Sequence, residues 1–251
     1  MSQTADGAQE AIARNPSWYH TIDFPGGVST PGHVDWRRHA AVLLPIDLRG
    51  ARALDVGTFD GFWAFELEKR GADVVAIDLD QVGDADWPPV HRERLRADVA
   101  ARGTELGLGF RLASEQLGSS VRRVPCNVLE LAPETVGGQV DFAFLGALLI
   151  HVRDPVRALE NIRNTLKPGG TLLMVEGVSL RETLLHPRTP LARFDTMRDP
   201  FNWWLPNLRA LHHYLWVAGF EDSRRLKLVR PPAKPEMRCW YCAIEARAPA
   251  G

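Results

Sequence analysis

Leu54-Asp-Val-Gly-Thr-Phe-Asp-Gly-Phe-Trp63, followed by Gly71-Ala-Asp-Val-Val-Ala-Ile-Asp78, decides the fold of this chain. Ala53 to Val56 is an apolar strand that runs into a glycine-bearing turn, and the turn opens a helix predicted over Gly61 to Arg70. A second apolar strand, Val74 to Ile77, ends in Asp78. This is the layout of a βαβ nucleoside site: a tight turn at a helix N-terminus, and a carboxylate placed for both ribose hydroxyls. The turn reads G-x-x-x-G, with Phe59 where a dinucleotide fold needs its middle glycine. Without that glycine the backbone cannot approach a pyrophosphate, so NAD fits poorly and a nucleoside without phosphates fits better.

The bulk properties set limits. A chain of 251 residues, 45% hydrophobic and 24% charged, can bury one good core, which predicts one decorated domain. A net charge of −1 gives no global reason to bind nucleic acid. Three widely spaced cysteines make no disulfide framework and suit a reducing cytosol. Met1 to Ala11 is polar and acidic, with no apolar run for a signal or a membrane span, and is expected to fray.

Along the chain, strands and helices alternate without repeats. Residues 1–34 are expected to form an N-terminal segment that covers a pocket, with Trp18-Tyr-His20 and the turns at Phe24-Pro-Gly-Gly27 and Pro31-Gly32. Residues 35–251 form the main domain. Its expected helices are Asp35 to Leu44, His91 to Arg102, Phe110 to Leu117, Asp154-Pro155 to Leu166, and Pro206 to Ala218 with Gly219 as its stop. Further strands are expected near Val121 to Pro125, Val140 to Leu145 and, after the turn Lys167-Pro-Gly-Gly170, Thr171 to Glu176. Residues 178–204 read as an irregular insertion. Arg224 to Val229 and Met237 to Ala246 read as a closing antiparallel pair.

On the glycine motif and Asp78 the chain resembles class I S-adenosylmethionine (SAM) methyltransferases. That resemblance implies an α/β, Rossmann-like, seven-stranded, mostly parallel sheet with a terminal antiparallel strand. A narrower likeness covers roughly residues 16–246. Trp18 to Thr30, Phe142 to Pro155 with Leu148-Leu-Ile-His151, Arg193-Phe-Asp-Thr-Met-Arg198, Leu205-Pro206 and Leu211 to Phe220 resemble, in order, the core of the tRNA wobble-uridine carboxymethyltransferase-like group. The founding enzymes of that group use carboxy-SAM and hold its extra carboxylate with a lysine, a tyrosine just before the histidine, and a late arginine. Here Ile150 stands at the tyrosine position, His20 is offered in place of a lysine, and Arg238 matches the arginine. An unpaired buried carboxylate costs roughly several kcal/mol, so ordinary SAM and a small-molecule acceptor are expected. A tRNA acceptor and a non-catalytic SAM-binding regulator are the rival readings.

The resemblance also implies a site. Asp55 is expected near the methionyl amino group, or as an acid that caps the turn. Gly57, Thr58 and Gly61 let the cofactor lie on the backbone. Asp78 takes the ribose and Leu79 flanks the adenine. Asn127 bonds the adenine amino group or serves a turn, Val128 offers its N–H, and Asp86-Trp87 closes over the ring or Trp87 is simply core. Leu145 to Ala147 mark where donor and acceptor meet.

His151 is the first candidate for a general base, with a purely structural histidine as the alternative and His20, His186, His212 and His213 as rivals. The resemblance implies Trp18, Tyr19, His20, Phe201, Trp203, Trp204, Arg193 and Arg198 around one acceptor mouth, suited to a planar or anionic molecule, with half of these tryptophans in the core as the alternative. Cys239-Trp-Tyr-Cys242 falls in an expected strand, where i and i+3 point to opposite faces, so no metal or redox role is assigned. No membrane association is expected. The atom methylated, the pathway and the oligomeric state are not readable from the sequence.

Overall fold

The computed structural model describes residues 5–101, 103, 105–196 and 200–251. The central sheet comprises β1 (Arg52–Val56), β2 (Asp73–Asp78), β3 (Arg122–Pro125), β4 (Val140–Gly146), β5 (Leu166–Gly177), β6 (Glu221–Val229) and β7 (Tyr241–Arg247). Their spatial order is β6-β7-β5-β4-β1-β2-β3. Pairings among β1 to β5 are parallel, and β7 lies antiparallel between β5 and β6. The chain winds outward from β1 in both directions, which opens a crevice at the carboxyl ends of β1 and β4.

Both faces of the sheet are covered, and the strands show it by alternation. Ala53, Phe142, Phe144, Leu173 and Val175 join one core with Trp18, Trp36, Trp63 and Phe65. Leu54, Val56, Ala143, Leu145, Leu172 and Met174 join the other with Leu159, Ile162, Leu211 and Leu215. Trp63 stacks on Phe144 with ring centroids 4.2 Å apart, which clamps the helix after the glycine turn onto β4.

The described helices are α1 (Ala5–Arg14), α2 (Arg37–Leu43), α3 (Phe62–Glu68), α4 (Pro89–Ala101), α5 (Leu108–Leu117), α6 (Pro133–Val136), α7 (Pro155–Thr165), α8 (Leu180–Leu185) and α9 (Leu208–Val217). None of them is long and apolar enough to cross a membrane. Met1 to Thr4 lie outside the described residues, and from Ala5 on α1 overturns the expectation of a frayed start. Its Ala8 and Ala11 are buried in a contact with α5, and Ile12 accepts a hydrogen bond at 3.1 Å from the Trp18 indole. Small residues let two helices approach closely, which a hydrophobicity reading misses.

Other boundaries moved for local reasons. Asp35 caps α2 from two residues back, accepting the Arg37 N–H at 3.1 Å while holding its guanidinium. Asp154 caps α7 as expected, accepting the Arg157 N–H at 3.0 Å. Lys167-Pro-Gly-Gly170 is absorbed into β5, with a register shift against β4 between Val140 and Phe142. A 3-10 turn at Pro235–Met237 delays β7 to Tyr241, so Cys239 precedes the strand.

The insertion is more ordered than its composition suggests. It contains α8 and a short antiparallel pair, Ala192–Phe194 with Trp204–Pro206. Fully buried Asn207 ties it down: its Oδ1 accepts from Leu191 and Ala210, and its Nδ2 donates to the Thr189 and His186 carbonyls. Asn207, rather than Pro206, is thus the cap of α9.

Candidate active site

The turn after β1 is built to present Asp78. The Gly57 and Thr58 N–H groups donate to the Ile77 carbonyl at 2.9 and 3.1 Å, stitching the turn to the end of β2. Phe59, at φ +47°, then donates its N–H to Asp78 Oδ2 at 2.7 Å, and Leu79 donates to Oδ1 at 2.7 Å. Each carboxylate oxygen keeps a further lone pair, as a vicinal diol requires. Burial raises the Asp78 pKa, and the two backbone donors oppose the rise.

Six of the residues expected to bind the cofactor or act beside it line one cleft: Gly57, Asp78, Leu79, Asn127, Val128 and His151. Asp86 and Trp87, also expected beside the ring, lie in its walls with Ile77, Ala85, Cys126, Leu148 and Val152. A Cβ on Gly57, at φ +75°, would come within 3.2 Å of the Leu148 side chain, so glycine keeps this wall open. Gly61 is not among the residues lining the cleft. Its φ is +89°, and a Cβ there would meet the Phe65 ring at 2.5 Å, on the packed side of the turn.

Asp55, Thr58 and Leu145 lie buried behind the cleft rather than on its wall. Burial lifts the Asp55 carboxyl to about 7 against the lowering effect of Thr58, and its Oδ2 makes no hydrogen bond. Asn127 acts as a turn residue here: its Oδ1 accepts from Leu129 at 3.0 Å and its Nδ2 reaches the Asp84 carbonyl at 3.3 Å.

The cleft rim is braced by the insertion. His151 Nδ1 lies 3.0 Å from the Phe201 carbonyl. A carbonyl only accepts, so Nδ1 carries the proton and the ring's lone pair is on Nε2. Trp203 donates its backbone N–H to Ile150 at 2.7 Å and its indole N–H to the Asp86 carbonyl, and Trp204 donates to the Arg153 carbonyl at 3.0 Å. Arg153 lies over the Trp203 ring and pairs with Asp86 at 2.8 Å.

The residues expected around one aromatic mouth differ in their immediate contacts. Trp18 is core, edge-on to Phe24. Tyr19 packs against Phe59, and Trp203 and Trp204 contact Phe194. His20 is buried on Phe62 with Nδ1 unpartnered, and burial lowers its pKa to about 3, so it is neutral across the physiological range. Arg193 is engaged by Asp195 at 2.8 Å, Arg238 is exposed before β7, and Arg198 lies outside the described residues. Of the rival bases, His186 sits near Glu182 at the end of α8. His212 and His213 line a separate surface groove of about 530 Å³ between α9 and β6, which borrows nothing from the nucleoside turn.

Two acids escaped the sequence reading. Asp60, inside the glycine motif, accepts the Tyr19 and His20 N–H groups on Oδ2 at 2.6 and 3.0 Å, tying the N-terminal segment to the turn. Glu176, at the carboxyl end of β5, accepts the Leu148 and Leu149 N–H groups on Oε1 at 2.8 and 3.0 Å. Burial raises both carboxyls to about 7. An acid closing an apolar strand was the available signal in the second case, the same one that marked Asp78.

A crevice at the carboxyl ends of β1, β2 and β4, with the backbone-anchored Asp78 carboxylate on its wall, belongs to an α/β protein of the Rossmann-like class. Residues 33–223 match the family model described as "Methyltransferase domain", and the chain belongs to that family. It is 32% identical over 209 residues to tRNA U34 carboxymethyltransferase of Pseudomonas paraeruginosa, a match covering 81% of this chain and 55% of the relative. The chain thus spans about half the length of the curated relatives it matches. Among solved structures, 1,6-didemethyltoxoflavin-N1-methyltransferase of Burkholderia thailandensis, bound to S-adenosylhomocysteine, superposes with a TM-score of 0.55 at 21% identity, over 85% of this chain and 77% of that one. The [4+2]-cyclase SpnF superposes with a TM-score of 0.55 at 19% identity, over 98% and 94%. These two likenesses are of fold, and the second is named for a reaction other than methyl transfer.

Proposed function

We propose that the chain transfers a methyl group from SAM to an oxygen or nitrogen of a small-molecule acceptor, working in the cytosol. The observation that carries this reading is the anchored Asp78 carboxylate facing a cleft walled by Gly57, Leu79, Val128 and Trp87. That donor set fits SAM: a carboxylate for the ribose diol, an apolar slot for the adenine, and the buried acid Asp55 behind the turn, where a methionyl ammonium is expected. The bound cofactor supplies an electrophilic methyl group and departs as a neutral thioether. The chain's own part is alignment, exclusion of water by the braced rim, and removal of the acceptor's proton. His151 is one candidate for that proton, through Nε2. The Tyr19–Phe59 contact supports the reading of residues 1–34 as a cover beside the turn.

Ordinary SAM is favoured over carboxy-SAM because Ile150 offers no hydrogen bond to a second carboxylate and Arg238 is exposed. A cleft reaching His151 disfavours a purely regulatory role. Transfer to tRNA is the second reading, favoured by the carboxymethyltransferase relatives. Incubation with methyl-labelled SAM, a low-molecular-weight cell filtrate and bulk tRNA separates the two. Label in the filtrate supports the proposal; label in the tRNA overturns it.

A further inference from the structure

The strand order maps a bound nucleoside onto the sheet. On the proposed reading Asp78 at the end of β2 marks its nucleoside end, with Asn127 after β3 lining the same cleft, and Gly57 at the end of β1 comes next. Adjacent strands lie about 4.8 Å apart, so the reactive end of an extended cofactor reaches the ends of β1 and β4. One strand further on is β5, which ends in Glu176-Gly177. Glu176 has no solvent exposure: Oε1 holds the loop after β4, while Oε2 finds no hydrogen-bond partner among the described residues. An uncompensated carboxylate oxygen at this depth is costly. Around this strand end lie Tyr19, Tyr241 and Cys239, each within electrostatic reach of Glu176, and none of them is a cation. Ile150 and Cys239 flank Gly177, at 3.7 and 3.5 Å from where its Cβ would stand.

We propose that Glu176 is the acceptor-side catalytic group, whose Oε2 accepts the O–H or N–H of the methyl acceptor beside Tyr19, Tyr241 and Cys239. The proposal rests on the methyltransferase reading above. In the transfer, the acceptor's lone pair forms the new bond to the methyl carbon. The electrons of the broken carbon–sulfur bond stay on sulfur, and the acceptor's proton passes to Glu176 Oε2 and then to water. A buried acid among phenols and a thiol selects neutral, proton-bearing acceptors and disfavours carboxylates. Burial raises the carboxyl to about 7, within reach of deprotonating service at neutral pH. Burial also raises Tyr19, Tyr241 and Cys239, which keeps them protonated there.

The test needs no acceptor. In sinefungin, a carbon bearing a primary amine replaces the sulfonium and its methyl group, whereas S-adenosylhomocysteine carries nothing there. Calorimetry of both ligands on wild type and Glu176→Gln reads the amine's contact alone. Glutamine can still accept the Leu148 and Leu149 N–H groups, so the loop anchor survives. At about pH 8, wild type is expected to prefer sinefungin by roughly ten-fold or more, as a charge-assisted hydrogen bond implies. Glu176→Gln is expected to lose most of that preference while holding S-adenosylhomocysteine with wild-type affinity. Equal preference in the two proteins, or none in wild type, overturns the proposal. Should Glu176→Gln fold poorly, the wild-type preference itself is decisive: it rises with a midpoint near 7, in His151→Asn as well, if Glu176 ionises beside the amine. A flat profile overturns it. Failure of wild type to bind S-adenosylhomocysteine at all would instead refute the cofactor reading.

Discussion

Removing the Asp60 carboxylate should loosen the N-terminal segment, and the size of the effect follows from its contacts. Oδ2 accepts two backbone N–H groups, Tyr19 at 2.6 Å and His20 at 3.0 Å. Asp60→Ala strands both, at about 1–3 kcal/mol for each buried unpaired donor. Water can reach half-buried Tyr19, so the expected total is about 2–4 kcal/mol, or roughly 5–15 °C in Tm for a domain of this size. Asp60→Asn keeps an acceptor for both donors and removes only the charge, which gives a second, pH-dependent signature. Folded Asp60 holds its proton to about 7, mainly through burial, against 3.8 when exposed. Between those values the folded state binds more protons than the unfolded state, so wild type loses stability relative to Asp60→Asn as pH rises through that window. The loss is at most roughly 4 kcal/mol and is complete above pH 7. Buried His20, lowered to about 3, acts in the opposite sense below its unfolded value of 6.5 and is common to both proteins. Urea unfolding followed by tryptophan fluorescence from about pH 4 to about pH 8 measures both effects. An Asp60→Ala loss below about 0.5 kcal/mol would refute the reasoning. So would a wild-type–Asn difference that is flat or runs the other way.

Two other substitutions separate the roles of neighbouring features. Gly61→Ala should cost about 2–4 kcal/mol, from a left-handed φ and a methyl driven into the Phe65 and Phe110 rings. Gly57→Ala meets only the flexible Leu148 side chain, so it should cost about 1–2 kcal/mol of stability and act mainly on cofactor affinity. The reverse ranking in thermal unfolding would contradict this assignment. Asn207→Ala should cost about 2–4 kcal/mol and should open the 178–206 segment first in hydrogen exchange, because one side chain satisfies both α9 and the insertion. Uniform exchange along the chain would argue against that.

The parts of the fold that could be read from sequence were those set by local chemistry. The strands of the parallel sheet are short apolar runs because both faces are covered, and Asp154-Pro155 announces α7 by capping alone. That Gly57, Asp78 and Leu79 share one cleft was legible for the same reason: they are close in sequence or fixed by one motif. α1 was missed because its buried face is alanine, and the order of the insertion because it depends on Asn207 reaching back across it. The aromatic residues were assigned to one mouth through the resemblance, and their holding contacts come from far along the chain: Trp203 bonds Ile150, while Tyr19 is held by Asp60. Asp60 and Glu176 gain their meaning from partners some 30 to 40 residues away, and spacing alone does not reveal such pairs.

Calorimetry with SAM on wild type and Asp78→Ala tests the central claim most directly, with S-adenosylhomocysteine and carboxy-SAM in parallel and unfolding temperature as the check on folding. The account predicts binding of SAM and S-adenosylhomocysteine by wild type and no preference for carboxy-SAM. It also predicts a loss of about a hundred-fold or more in folded Asp78→Ala, as two charge-assisted bonds to the ribose require. Wild type that binds none of the three, or Asp78→Ala that binds SAM as wild type does, would contradict it.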